Sequence, residues 1–290
     1  MIRIGAFLLL AFSLMLSVAP RAEAAESYDN CTGFITSIPA VISTQGTWCL
    51  KQDLATAVTV GHAIDIQTNN VTIDCNNFKL GGLAAGSGTT AEGIYAFNRA
   101  NATVRRCNIR GFAIGLDFDQ GSGFLVENNR LDGNTQIGVL VQGENSIVQH
   151  NLVLDTGGTS VLANGMYGIA VNYTVDVLDN TVSGVVASSG SGNSAAGIWI
   201  AYDDGSSVKG NRIRNVLKDG AGVARGIYYF VGGNGRITIS DNDVVGDGGT
   251  GSIGLDCTSN FDVRAKGNTI NGFSTGISDC HDDGGNVVAP

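Results

Sequence analysis

From about residue 70 onward the apolar and polar positions repeat one phrase: an apolar residue, two of any type, Asn, one of any type, and another apolar residue. The clearest copies are Val126–Leu131, Val148–Val153, Val177–Val182, Val208–Ile213 and Ile239–Val244, with Asn129, Asn151, Asn180, Asn211 and Asn242 in the fourth place. Ala265–Ile270 carries Asn268, Ile73–Phe78 carries Asn76, and Val104–Ile109 has Cys107 where the others have Asn. The anchors stand 22 to 31 residues apart. A fixed phrase at that period marks stacked units, none of which buries its apolar face alone. After each phrase come a variable gap, Gly, an aliphatic residue and a short apolar stretch, too short and too alternating for helices. The pattern predicts an all-β solenoid: a single-stranded parallel β-helix of about eight coils, stacked about 4.8 Å apart. The recurrent Asn belongs at a bend between strands, where stacked amides form a hydrogen-bonded ladder. A plain turn former would also be Asn.

The gaps lengthen after the second strand of a coil. Gly157–Gly165, Val185–Ala196 and Lys218–Val223, mostly Gly, Ser, Asn and Ala, read as loops on one side of the rod. Residues 25–60 lack the phrase and are expected to cap the first apolar layer of a β-helix domain spanning residues 25–290. Ahead of them, Arg3, an apolar run over Ile4–Val18 and Ala22-Glu23-Ala24 form a signal peptide over residues 1–24, too short to span a bilayer. Secretion or export to the periplasm is the expected location, and the mature chain has no other candidate span. Six cysteines in an oxidising compartment predict disulfides. Coil register pairs Cys75 with Cys107 and Cys257 with Cys280, which leaves Cys31 for Cys49.

The run Asn70–Gly82 (NVTIDCNNFKLGG) resembles the opening signature of bacterial right-handed β-helix proteins of the pectin-lyase-like superfamily, and the later phrases resemble their repeats. The resemblance covers about residues 46–280 and implies a right-handed winding. That superfamily holds pectate lyases, polygalacturonases, alginate lyases and epimerases beside non-catalytic surface proteins, so its implication for activity is broad. Asp203-Asp204 and Arg212-Ile213-Arg214 are similar to two polygalacturonase elements, but the Asn-Thr-Asp and Gly-His-Gly elements are missing. The Asp-Pro-His-Glu signature of mannuronan epimerases is missing too.

Strand alternation turns Ile94, Leu116, Val139, Ile169, Ile198, Ile227, Leu255 and Ile277 inward. The next residue in each copy faces out: Tyr95, Asp117, Leu140, Ala170, Trp199, Tyr228, Asp256 and Ser278. Aromatic faces interspersed with carboxylates suit sugar rings and their hydroxyls. Tyr95, Trp199, Tyr228 and Tyr202 are therefore candidate polysaccharide-binding residues. Asp117, Asp203 and Asp204 are candidate catalytic acids for glycoside hydrolysis or a lyase reaction, with Asp119 close behind Asp117. Such acids also suit Ca²⁺, although no cofactor is required, and Asp-Asp-Gly is equally a turn sequence. Loops covering the aromatics would instead mark a non-catalytic scaffold or adhesion module.

The formal charge of −9 becomes −10 once Arg3, Glu23 and Arg21 are removed. That balance excludes a nucleic-acid partner, which demands a basic footprint. A polysaccharide or cell-surface glycan remains the expected partner of a monomer. Arg105, Arg106, Arg110 and Arg130, with Lys209, Arg212 and Arg214, form basic clusters that either meet acidic sugars or solvate the surface. His62, His150 and His281 show no metal-ligand spacing.

Overall fold

The computed structural model describes residues 28–290 apart from 162–164, 189, 191, 204, 231–235 and 258–261. The expected signal peptide and Asp204 lie outside the described residues. The chain winds into a right-handed parallel β-helix with three sheets of eleven, ten and ten strands, all paired in parallel. One coil shows the plan: Leu125–Glu127 joins sheet 1, Arg130–Asp132 joins sheet 2 and Ile137–Glu144 joins sheet 3. The next coil repeats it with Ser146–Gln149, Leu152–Gly157 and Met166–Asn172.

Register stacks like on like. Val126, Val148, Val177, Val208, Ile239 and Ala265 form one inward file. Leu131, Val153, Val182, Ile213, Val244 and Ile270 form a second. Ile94, Leu116, Val139, Ile169, Ile198, Ile227 and Leu255 form the third, and every member is fully buried. Burying such a side chain contributes about 1.5–3 kcal/mol, and the coils from Val126 to Leu255 each supply three.

The glycine before the third file is a contact requirement. A Cβ on Gly115 would lie 2.6 Å from the Gly138 carbonyl oxygen, one on Gly138 2.5 Å from that of Gly168, and one on Gly168 2.7 Å from that of Gly197. Only glycine lets the coils approach this closely.

The asparagine side chains connect coil to coil. Nδ2 of Asn129 donates to Oδ1 of Asn151, and the chain continues through Asn180, Asn211, Asn242 and Asn268 to Asn286 at 2.9–3.0 Å throughout. Each acceptor oxygen also takes the main-chain N–H of the Asn before it, as Asn180 Oδ1 does from Asn151 at 2.9 Å. The second Nδ2 hydrogen reaches a carbonyl of the preceding coil, Val148 in the case of Asn180, at 2.9 Å. Both donors and both lone pairs are thus used.

Asn76 lies outside this ladder. Its coil spends Cys75–Phe78 on the bend between Asp74 and Lys79, where the next coil spends only Arg106 and Cys107. The longer bend turns the Asn76 amide toward the Leu50 carbonyl and the Arg106 guanidinium.

The coils outnumber the eight phrases, because segments without the Asn also join the sheets. Residues 25–60 contain Gly33–Ile35, Ala40–Ile42, Gly46–Leu50 and Leu54–Ala55, which pair into all three sheets. This N-terminal segment covers the first apolar layer with strands of its own, in the register Trp48 against Ile73. The disulfides are Cys31–Cys49, Cys75–Cys107 and Cys257–Cys280, with Cα separations of 5.8, 4.7 and 5.0 Å. They fit an oxidising compartment. Among the described residues no helix is long and apolar enough to cross a membrane.

Replacing Asn180, which is 1% exposed, by Ala strands the Asn151 amide and the Val148 carbonyl. The expected loss is about 1–3 kcal/mol, read by denaturant unfolding. A loss equal to that of an exposed-loop substitution removes the ladder as a stabilising device.

Candidate functional site

The outer face of sheet 3 carries the chemistry. Because each glycine and the aliphatic residue after it are both buried, the outward positions fall on either side of the pair. The residue before the glycine, or before Ala63 in the first of these strands, forms one file, His62, Glu92, Ile114, Ile137, Tyr167, Ala196 and Arg225. The residue after the aliphatic forms the next, Asp65, Tyr95, Asp117, Leu140, Ala170, Trp199, Tyr228 and Asp256. Two residues on, Phe97, Asp119, Gln142 and Asn172 form a third.

At the N-terminal end of this face the files bring together His62, Glu92, Tyr95, Asp117 and Asp119. His62 Nδ1 lies 2.9 Å from Glu92 Oε2. The imidazole stacks flat on Tyr95, with centroids 3.9 Å apart and planes 4° apart. Asp117 is only 7% exposed. Burial, then the charges of Glu92 and Asp119, push its carboxyl up to about 8. Glu92 reaches this carboxyl and leaves Asp117 Oδ1 buried with no hydrogen-bond partner. Burial raises Glu92 as well, against the pull of His62. Asp119 is raised by burial, and the Gln120 main-chain N–H opposes the shift. Burial and the surrounding carboxylates raise the Tyr95 phenol. The environment thus raises Asp117 furthest among these acids, a spread of proton affinities that suits acid–base work.

Three coils farther along the same face, through Leu140 and Ala170, lies an aromatic platform. Tyr167 stacks on Trp199 at 5.3 Å and Trp199 on Phe230 at 6.1 Å, with Tyr228 edge-on to Phe230 at 5.7 Å. Arg225 lies over the Tyr228 ring at 4.1 Å and donates from Nε to the buried Asp256 at 2.5 Å. Phe230 is 44% exposed, so the platform is open on that edge. The Gly/Ser-rich insertions enter sheet 3 beside Tyr167, Ala196 and Arg225. They stack on one another at the corner, Ser188 Oγ donating to the Thr159 carbonyl at 2.8 Å and Asp219 N to that of Asn193 at 3.1 Å.

The predicted stripe of Tyr95, Trp199 and Tyr228 is thus one line divided into two sites. Tyr202 stands apart, exposed in the turn after the Trp199 strand with a positive φ of 53°. Asp203 is fully buried, and its Oδ1 accepts the main-chain N–H groups of Gly205 and Ser206, both at 3.1 Å. It shapes a turn and does not face the sheet 3 sites. The basic clusters are mostly spoken for: Arg105 and Arg106 both bind the buried Asp74, Arg130 pairs with Asp132, and Arg214 with Asp243. Among the described residues no three His, Cys, Asp or Glu side chains are grouped to hold a metal ion. His62, Glu92, Tyr167, Arg225 and Phe230 escaped the sequence reading. The first four precede the buried pair of their strand, a position readable once that pair is seen to break alternation.

Residues 56–192 match the family described as the right-handed β-helix region, and that is the winding the three sheets display. These observations define the fold, a right-handed parallel β-helix. No curated protein matches the sequence. Among solved structures the chain is similar to a mannuronan C-5 epimerase A-module of Azotobacter vinelandii (13% identity over 86% of this chain and 83% of that one, TM-score 0.39). It is also similar to the enzymatically active domain of tailspike protein 2 of bacteriophage CBA120 (15% identity, 88% and 47%, TM-score 0.49). A third is the catalytic domain of a GH87 α-1,3-glucanase (12% identity, 94% and 70%, TM-score 0.30). The chain spans about half the length of the tailspike domain. At these identities the likeness is one of fold.

A carboxyl raised on folding weakens the folded state as pH climbs, because the unfolded chain gives up its proton first. For Asp117 the window runs from about 4 to about 8. Asp117→Asn is expected to melt above the wild type at pH 8, with the gap closing by pH 4. A pH-independent gap in thermal unfolding contradicts the protonated carboxyl.

Proposed function

We propose that the protein binds a polysaccharide lengthwise along the outer face of sheet 3 and hydrolyses a glycosidic bond beside Asp117. The observation that carries the reading is a buried carboxyl that keeps its proton, followed two residues later on the same face by a second carboxyl. Phe118 between them is fully buried, so both acids point outward. Positions i and i+2 of a strand are about 6.5–6.8 Å apart along the backbone, a spacing on the scale of the roughly 6.5–9.5 Å that separates the two carboxyl groups of inverting glycosidases. Asp117 gives its proton to the leaving oxygen. Asp119, ionised, takes one from the water that attacks the opposite face of the sugar.

Glu92 has a different part. It touches Asp117, closer than the ~5 Å that retaining enzymes need between their carboxyls. Its charge keeps the Asp117 proton in place, and His62 holds it there. The aromatic platform, about 14 Å along the rod at the parallel coil spacing, stacks sugar rings of the same polymer. Secretion through the expected signal peptide would bring this face to an extracellular or periplasmic glycan.

The test is turnover of a panel of polysaccharides. Asp117→Asn and Asp119→Asn are each expected to lower kcat by about 10²–10⁴-fold, and Trp199→Ala to raise KM. The rate should fall on the alkaline side near pH 8, where Asp117 loses its proton, and on the acid side as Asp119 gains one. The newly formed reducing end should carry the inverted anomer by NMR. Binding that depends on Trp199 without any turnover would instead favour a non-catalytic glycan-binding module, since the platform alone suffices for that.

A further inference from the structure

Beside the acid cluster, at the corner where sheet 3 turns into sheet 1, lies a cleft of about 580 Å³ that none of the candidate residues above lines. It exists because of one irregularity. The strands Ile114–Ser122 and Ile137–Glu144 run on past the point where their neighbours turn away. The pairing shifts between Asp119 and Gly121, and Gln120 takes a positive φ of 52°. Such a bulge re-aims side chains and bends the strand. Gly121 makes the floor: a Cβ there would lie 2.1 Å from the Arg99 carbonyl oxygen and 2.2 Å from the Phe124 ring.

The lining is dominated by carboxamides, Asn69, Asn98, Gln120 and Gln142, with Tyr173 as one wall. Asn98 and Gln120 offer a donor and an acceptor side by side, the complement of neighbouring hydroxyl groups, which also donate and accept, while Asn69 Oδ1 already takes the Ala100 main-chain N–H at 2.9 Å and leaves its amide hydrogens to give. Gln142 spends its Oε1 on Asn172 Nδ2 at 2.6 Å, which leaves its own N–H groups to give. Arg99 Nε is buried without a partner, one more donor at this lining. Tyr173 is 45% exposed and presents a ring face to stack against. One Arg99 and one Glu144 balance in charge, so the cleft selects for neither anions nor cations. Gln142 stands next to Asp119 in the same outward file, so a ring in the cleft adjoins the reacting bond.

We infer that this corner cleft is a subsite for a neutral sugar residue, read through its hydroxyls by the amide side chains and stacked on Tyr173. The inference rests on the polysaccharide reading above and narrows its substrate to polymers with uncharged residues at the cleavage point.

The experiment is calorimetric titration of the full mature chain with neutral tetrasaccharides derived from glucan, mannan and galactan, and with hexuronate tetrasaccharides. Gln120→Ala and Tyr173→Ala are compared with Trp199→Ala, each first shown to melt as the wild type does. Gln120 is exposed, and its main-chain N–H toward Asp119 is kept in the Ala variant. A neutral tetrasaccharide is expected to bind best, and each cleft variant to weaken it about two- to tenfold, the net contribution of a hydrogen bond or a ring contact. Trp199 is three coils from the Gln120 strand, about 14 Å at the parallel coil spacing, so its effect should multiply with that of Gln120→Ala. Unchanged affinity in both cleft variants, with Trp199→Ala still weakening binding, overturns the cleft assignment and leaves the platform standing. Preference for the hexuronates overturns it too. Binding indifferent to all three variants overturns both readings.

Discussion

Each coil of this protein is one layer thick, and its inward side chains are sealed only by the coils above and below. Parallel main-chain pairing holds the layers at a fixed spacing but does not by itself choose the register. Two files of small contacts make that choice. The asparagine amides satisfy one another only when Asn129, Asn151 and Asn180 stand directly in line. The glycines admit the neighbouring carbonyl only when Gly115, Gly138 and Gly168 do the same. A slip of one residue would strand buried amides and turn an aliphatic file to water.

The same register assembles the chemistry. His62, Glu92 and Asp117 are about a coil apart in sequence, and pairing alone makes them neighbours. Asp117 sits on a sheet face yet is buried, because Tyr95 and Leu140 flank it from the coils on either side. Its altered proton affinity is therefore a property of stacking: a carboxyl surrounded by side chains from adjacent layers loses water, and an adjoining Glu92 adds repulsion. The aromatic platform arises likewise, from residues one coil apart whose rings reach one another across the coil spacing.

Much of this was readable in the chain. The Asn phrase located the bends, the aliphatic positions located the core, and coil counting paired the cysteines. What escaped did so for definable reasons. The segments at 33–55 and the rung at Asn286 lack the apolar context of the phrase, so only pairing reveals them. Asn76 carries the phrase but loses its place because its bend is longer. Strict alternation hides Glu92 and His62, since Gly93 and Ile94 both face the core and the outward positions fall three residues apart. Asp203 and Tyr202 follow an informative strand, but the turn after it takes them off the face. Ion pairs across coils absorb most of the basic clusters, a matter of side-chain reach that composition does not encode.

The glycine file has a consequence for how such a protein can change. It fences off the positions where variation is fatal from those where it is free, residue by residue within a single strand. Drift at Gly138 collides with a backbone, whereas Leu140, two residues later, faces outward and is partly exposed. A lineage can therefore rewrite its outer surface one coil at a time, trading an aliphatic for a ring or an acid, while the winding beneath is inherited intact.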